Sequence, residues 1–418
     1  PGENARPMTR NTLVYRLSMP NPHSHLYEVE LSLAPPDPGP FDVAMPAWTP
    51  GSYAIRNYAK HLRGLSARDA AGRPLRTIKL DKQTWRIEAA GTGPVRIRYR
   101  VYAFELTPRG AHLDGSHGYA NGAALFLYPV GRTGHPCRLE IETPKGWHVH
   151  TGLTRNPAAR NAFRAADYDD LVDCPIETGP VRPWNFRVRG KPHRLLVHGP
   201  GNYDKARMLR DVSRIVGAQA DLFGGLPYRD YFFLLHCTSE RGGGLEHANS
   251  TALQVQRHIF RPRASYRRFL SLVSHEFFHL WNVKRIRPAR FARFDYAREN
   301  HTRLLWAMEG ITDYYAPRIL CRAGLITPAE YLEDLGRLLE HLRRVPGRKV
   351  QSLAESSFDA WTLHYDPNED TVNRTVSYYA KGAAVGMLLD LAIRERTKGR
   401  RSLDDVMRFL YREHLRGS

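Results

Sequence analysis

An α+β multidomain protein is predicted, with a β-sandwich-like domain over residues 1–188 followed by a mainly helical domain over residues 189–418. Three observations predict it. From about Asn11 to Val188 the chain alternates apolar and polar positions in short runs separated by Pro and Gly clusters, the period of half-buried strands. Beyond residue 200 the apolar positions mostly recur at three and four residues, a helical period. A chain of 418 residues also exceeds what one hydrophobic core usually supports, so at least two domains are expected.

In the first part, the runs LVYRLSM, HLYEVELSL, TWRIEAA, VRIRYRVYAFEL, ALFLYPV and CRLEIETP are predicted strands. PPDPGP (35–40), TPGS (49–52) and GTGP (91–94) divide them, and Trp48 and Tyr53 are expected in the core. The stretch His112–Phe126, HLDGSHGYANGAALF, is rich in Gly and His. It is either a plain turn before a buried strand or a loop reaching toward the second domain.

In the second part a strand, HRLLVHG, precedes a helix from about Tyr203 to Phe223. Gly224 and Gly225 end that helix, and a strand, DYFFLLHC, begins near Asp230. Gly242-Gly243-Gly244-Leu245-Glu246-His247 follows. Taken alone it is a flexible turn, but its glycines also let backbone approach a ligand closely. The run Ser250–Phe260 is predicted as an edge strand able to pair with an extended peptide.

A helix is expected from Ala264 to Val283, burying Phe269, Leu270, Val273, Phe277, Leu280 and Trp281, with Lys284, Arg285 and Arg287 beyond it as helix-dipole partners and solvated charges, contact with a bound ligand being the alternative. Another is expected from Thr302 to Ala323. Thr327 and Glu330 form a capping box for a helix reaching Arg344, with Pro328 at its first position. Residues 348–376 are expected as loop. Asp366, Asn368 and Asp370 lack the Gly and closing Glu of a calcium loop. Helices from Ser377 to Arg396 and from Ser402 to Leu415, the latter capped by Ser402 and Asp405, complete the prediction.

The net charge of +20 would suit an anionic partner, but the arginines are spread over the whole chain and no nucleic-acid-binding motif accompanies them, so no nucleic acid is expected. No run of 18 apolar residues exists, and hence no membrane span is expected. The four cysteines form no CxxC pair. A Cys137–Cys174 disulfide in a secreted protein and buried free thiols are the alternatives, with free thiols preferred. The chain opens at Pro1, which leaves room for a removed leader, and a bacterial periplasm or cytoplasm is the natural setting.

The chemistry lies in Ser274-His275-Glu276-Phe277-Phe278-His279, an HExxH sequence. On a helix His275 and His279 share one face, so both imidazoles reach one metal ion with Glu276 beside them. A catalytic zinc site needs three protein ligands and an open position, and His2Glu is a recurring set. Two carboxylates compete for the third place. Glu309, thirty positions after His279, has helical, apolar neighbours and Asp313 one turn later to orient an imidazole. Glu299, twenty positions after His279, has a separation nearer to that of many HExxH enzymes but sits in the polar stretch ARENH. Glu309 is preferred. Glu276 is the general base, and a tyrosine, Tyr379, is the candidate second electrophile for an oxyanion.

HEFFHLWNVKRIRP, WAMEGITDYY, GGGLEH and SYYAKG together resemble the glycyl aminopeptidases of metallopeptidase family sixty-one, and PAWTPGSYAIR and GYANGAALFLY extend the likeness to nearly the whole chain. The resemblance implies a thermolysin-like (gluzincin) catalytic domain with one Zn2+ held by His275, His279 and Glu309, and Glu276 as base. By similarity to alanyl aminopeptidases, Glu246 binds the substrate's free α-amino group and Gly243 and Gly244 line the peptide. Tyr379 falls at the transition-state tyrosine, with Tyr378 as its alternative. His247 departs from the Asn of the alanyl aminopeptidase motif, and the PDZ domain frequent in the family is not expected before Ser418. The implied activity is release of small N-terminal residues, Gly or Ala, from peptides. A thermolysin-type endopeptidase would instead cut N-blocked peptides, and a peptide-binding module would need no Glu276.

Overall fold

The structure, a computed structural model, describes residues 12–35, 38–91, 93–157, 159–240 and 242–417. The expectations for the chain start at Pro1, for Asn11 and for parts of the PPDPGP and GTGP turns lie outside the described residues. The chain divides into two compact units, one of Pro1–Arg182 with Tyr296–Arg298 and one of Pro183–Asp295 with Glu299–Ser418. It is thus a multidomain protein with a β-rich N-terminal part and a largely helical C-terminal part.

In the first unit an eight-stranded sheet runs in the order 154–155, 162–165, 137–142, 13–18, 26–33, 95–102, 62–68, 74–75. Its neighbours are antiparallel except for Leu13–Ser18 beside Cys137–Glu142. The predicted alternation holds: in Val95–Tyr102 the valines, Ile97 and Tyr99 are buried and Arg96, Arg98 and Arg100 are exposed. Two four-stranded sheets complete the β structure, and Trp48 and Tyr53 are buried. A short helix, Tyr168–Val172, interrupts it; Asp167 caps its N-terminus.

The stretch His112–Phe126 resolves into a hairpin and a strap. Ala111–Leu113 pairs with Gly118–Ala120. Asp114 closes the turn by accepting the backbone N–H groups of Ser116 (2.7 Å) and His117 (3.1 Å), while its other oxygen lies 3.2 Å from His112 Nε2. The strap Leu125–Leu127 is fixed by phenols, which donate from Tyr99, Tyr168 and Tyr15 to the carbonyls of Leu125, Phe126 and Leu127. Cys137 and Cys174 are both buried, with no disulfide between them.

The second unit is built on a five-stranded sheet. Its strands are β1 (Trp184–Val188), β2 (Lys191–His198), β3 (Tyr231–Thr238), β4 (Gly244–Glu246) and β5 (Ser250–Gln256), in the order β1-β2-β3-β5-β4. β2, β3 and β5 are parallel, and β1 and β4 run antiparallel at the two edges. β3, YFFLLHCT, is almost continuously apolar because a central parallel strand is covered on both faces. α1 (Lys205–Phe223) makes the crossover from β2 to β3. Asp204 caps its start, and Gly224, at φ 82°, takes the left-handed conformation that ends it.

The order of strands corrects one expectation. Ser250–Gln256 is an interior strand, paired on both sides, and the open edge is Gly244–Glu246. The glycine run was expected as a turn, and an apolar strand next to a three-residue one gives no sign in the sequence of which lies outermost.

Of the helices, α2 (Arg263–Phe278) buries Phe269, Leu270, Val273 and Phe277 as predicted, but it ends at its C-cap His279 rather than at Val283. The chain then turns sharply: the Trp281 carbonyl accepts the N–H groups of Arg285 and Ile286, and the Arg285 side chain donates to the Leu280 and Pro227 carbonyls. Arg285 is therefore a structural clamp and not a solvated charge. The helix expected from Thr302 begins later, as a π-turn over Trp306–Gly310 that continues into α3 (Ile311–Arg322). α4 (Pro328–Arg344) starts at the predicted capping box. The supposed loop 348–376 contains Leu353–Phe358, a π-turn at Ala360–His364 and Thr371–Arg374, all too short for a helical period to show. α5 (Tyr378–Arg396) and α6 (Leu403–Gly417) follow. Thr371–Arg396 is long and apolar enough to cross a membrane by length and composition, with mean hydropathy 1.2. In this fold it carries the buried Asp390, bound by Tyr314, Arg318 and Arg394.

One buried histidine in this sheet gives stability a pH dependence. His193 on β2 donates from Nδ1 to the Lys191 carbonyl (3.0 Å) and accepts at Nε2 from the Tyr228 hydroxyl (2.6 Å). Burial lowers its pKa from 6.5 to about 4. Between those values the unfolded chain binds a proton that the folded chain refuses, so stability present above pH 6.5 is lost as pH falls toward 4. Urea denaturation across this range is expected to show a steeper loss for the wild type than for His193→Gln.

Candidate active site

The cluster forms where α2 ends. His275 lies on the last turn of α2 and His279 is its C-cap, so the two rings still face one way across one helical turn. Their Nε2 atoms are 2.9 Å apart, and Glu309 Oε2 lies 3.4 Å from the first and 3.2 Å from the second. Of the two carboxylates that compete for the third place, Glu309 thus stands with the histidines, whereas Glu299 belongs to none of the His/Asp/Glu clusters among the described residues.

The opposite nitrogen of each ring is already committed. His275 Nδ1 faces Asp313 Oδ1 at 2.7 Å, and His279 Nδ1 faces the Asn282 carbonyl at 2.6 Å. Both partners are acceptors, so the ring protons sit on Nδ1 and the Nε2 lone pairs converge on the same point as the Glu309 carboxylate. Three electron-rich atoms within about 3.4 Å of one another need a cation or a shared proton between them. Two imidazoles and one carboxylate suit Zn2+.

The titration of the cluster carries the same message. Burial lowers the affinity of His275 for a proton, but Asp313 and Glu309 outweigh it and raise its pKa. Burial also opposes the charge on His279, which Glu309 and Glu246 nonetheless raise to about 9. Glu309 is lowered to about 2, the two histidines overcoming its burial. Glu276 goes the other way, to about 7, chiefly through burial, with Glu246 and Glu309 adding to it against the pull of both histidines. A bound cation would take over the role of the shared proton.

The edge strand forms a second wall. Gly244 and Glu246 are two residues apart and share one face of β4. A Cβ on Gly244 would lie 2.2 Å from Glu276 Cδ, so only glycine lets the strand pass this close to that carboxylate. Gly243 has nothing within 4 Å of the place a Cβ would take, and its carbonyl accepts the Gln254 N–H at 2.8 Å. Glu246 is 3% exposed, and one of its carboxylate oxygens lies within 4.8 Å of Glu276 and His279. Glu246 Oε1 and Glu276 Oε2 are buried oxygens with no hydrogen-bond partner.

A third wall comes from the π-turn and the start of α5. A Cβ on Gly310 would lie 2.5 Å from Gly382 Cα, so two glycines permit the π-turn and α5 to cross in backbone contact. That crossing sets Tyr379 beside the candidate ligand His275, the two rings stacked at 6.2 Å, while Tyr378 is fully buried. Glu309 lies within the π-turn, a form of helix frequent at functional sites.

Asn282 was missed by the sequence reasoning, although it stands in the motif HLWN. Its carbonyl accepts from His279 Nδ1, and its amide donates to the carbonyls of Ala307 and Met308 at 2.9 Å each. One buried residue thus ties a candidate ligand, through its backbone carbonyl, to the turn bearing another, through its side-chain amide. An Asn three residues after the second His of HExxH, inside an apolar run, was the available signal. Asn282→Ala is expected to weaken Zn2+ binding by about 10- to 100-fold, as measured by competition with a chromophoric chelator.

Residues 14–180 match the family profile of the Peptidase M61 N-terminal domain, and residues 268–385 that of M61 glycyl aminopeptidase. Among solved structures, the fold is similar to an aminopeptidase N family protein from Idiomarina loihiensis, with TM-score 0.91 and 36% identity over 96% of this chain and 70% of that chain. It also resembles an M1 zinc metallopeptidase from Deinococcus radiodurans with a Tyr-Ser-Ala substrate bound, at TM-score 0.54 and 15% identity over 97% of this chain and 85% of that one. At that identity the likeness is one of fold alone. No curated protein sequence matches.

Proposed function

Because the chain belongs to the M61 glycyl aminopeptidase family, we propose that it is a zinc-dependent aminopeptidase with a thermolysin-like catalytic domain over residues 189–418 and an accessory β-sandwich-like domain over 1–188. One Zn2+ would be held by His275, His279 and Glu309, with Asp313 and Asn282 fixing the two imidazoles. When bound, Zn2+ acidifies water and polarises the scissile carbonyl.

The protein's own groups do the rest. Glu276, buried between His275 and the edge strand, accepts the proton of the attacking water and passes it to the leaving amine. The Tyr379 hydroxyl donates to the oxyanion that forms on the scissile carbonyl. Glu246 binds the substrate's α-ammonium group, and the backbone of Gly243 and Gly244 lies along the peptide. A free N-terminus is held one residue from the cut, which makes the enzyme an exopeptidase. Preference for Gly and Ala rests on the family.

The observation that carries this reading is the unpartnered carboxylate oxygen of Glu246, 3% exposed and facing the Glu276–His279 group. A buried carboxylate so placed is costly unless a cation meets it. The test combines zinc quantification with aminoacyl arylamides, free and N-acetylated. One zinc per chain and cleavage of free Gly and Ala arylamides alone are expected. Equal cleavage of the acetylated forms would overturn the aminopeptidase assignment in favour of an endopeptidase.

A further inference from the structure

Tyr365 has no part in the roles assigned above. It directly follows the π-turn Ala360–His364, and its hydroxyl lies 3.2 Å from that of Tyr379 and 3.2 Å from that of Tyr378. Two residues opening α5 and one from the preceding segment thereby link three phenol oxygens in a chain. The rings are held as well: Tyr378 and Tyr379 lie 4.6 Å apart, and His364 packs on them at 5.0 and 5.7 Å.

The order of donation along this chain matters, because each hydroxyl has one proton to give. Tyr378 donates to Tyr365. Between Tyr365 and Tyr379 the separation permits either direction. If Tyr379 donated to Tyr365, its only proton would be spent away from the substrate. If Tyr365 donates to Tyr379, the Tyr379 proton stays available for an oxyanion. Accepting a hydrogen bond also polarises the Tyr379 O–H and makes it the stronger donor.

We propose that Tyr365 is a positioning residue for peptide hydrolysis, accepting from Tyr378 and donating to Tyr379 so that the Tyr379 hydroxyl is aimed and polarised toward the scissile carbonyl. The inference rests on the role proposed for Tyr379. It assigns the segment 360–365 to the catalytic apparatus and explains why two adjacent tyrosines open α5: one acts on the substrate and the other begins the relay.

The test is steady-state kinetics on a free Gly arylamide for Tyr365→Phe, Tyr379→Phe and the double variant, each checked for zinc content and melting temperature. Tyr379→Phe is expected to lower kcat about 10²- to 10³-fold. Tyr365→Phe is expected to lower kcat about 10-fold, the worth of one hydrogen bond, with KM unchanged. In the double variant the Tyr365 substitution should cost nothing further, since its hydroxyl acts only through that of Tyr379. A Tyr365→Phe loss of equal size in the Tyr379→Phe background, or one seen in KM or melting temperature instead of kcat, would mark Tyr365 as structural and overturn the proposal. Tyr365→Phe at wild-type speed beside a slow Tyr379→Phe would overturn it alone, whereas a fast Tyr379→Phe would overturn the role of Tyr379 first.

Discussion

Glu276→Gln is expected to lower kcat for Gly and Ala arylamides by about 10³-fold or more while zinc content stays at the wild-type level. The side chain is 5% exposed, does not belong to the His275–His279–Glu309 group, and has an oxygen with no protein partner. The amide is isosteric, so the packing beneath Gly244 survives, but it cannot take a proton from water. Burial, with Glu246 and Glu309 adding to it, disfavours the charged form of Glu276 by more than the two histidines favour it, so the neutral amide should melt no lower than the wild type. Metal analysis, calorimetry and initial rates on one preparation separate these effects. Retention of more than a tenth of the rate would show that another group serves as base.

Gly244→Ala is expected to lower kcat about 100-fold with zinc still bound. The added methyl would lie 2.2 Å from the Glu276 carboxyl, far inside contact distance. Either the carboxylate rotates away or the three-residue edge strand shifts outward, taking Glu246 with it. The two responses differ in KM: displacement of Glu276 alone lowers kcat, whereas movement of β4 also weakens capture of the α-amino group. Gly243→Ala is the control. Its Cβ meets nothing within 4 Å, so the fold and the Glu276 position should be undisturbed. If Gly244→Ala turned over at the wild-type rate, the close approach of strand and base would have no catalytic meaning.

The legible parts of this protein were those written in local periods. Alternation in VRIRYRVY, the apolar stripe of Phe269, Leu270, Val273 and Phe277, the box formed by Thr327 and Glu330, and Gly224 after Phe223 each specify their own element. HExxH is also local, since its two rings need only one helical turn. What was hidden depends on residues meeting across the chain. Nothing in GGGLEH shows that Gly244 faces a carboxylate thirty-two residues later. Nothing in STALQVQ shows that a shorter strand will cover its outer edge. Past the end of α2 at His279, the side chains of Asn282 and Arg285 hold carbonyls that a sequence does not mark. Tyr365 lay in a stretch expected as loop, and its meaning appears only beside Tyr378 and Tyr379.

The π-turn at Trp306–Gly310 makes segment length a variable of the site, on a par with residue identity. A π-turn is a helix holding one residue more than the α-helical repeat needs. Deleting Ala307 would let the segment close into ordinary helix and rotate everything before the deletion by about 100° about the axis relative to everything after it. Glu309 and Asp313 would keep their mutual phase but lose their register with Asn282, which grips the carbonyls of Ala307 and Met308. A one-residue deletion that removes no candidate ligand would therefore dismantle the cluster of His275, His279 and Glu309.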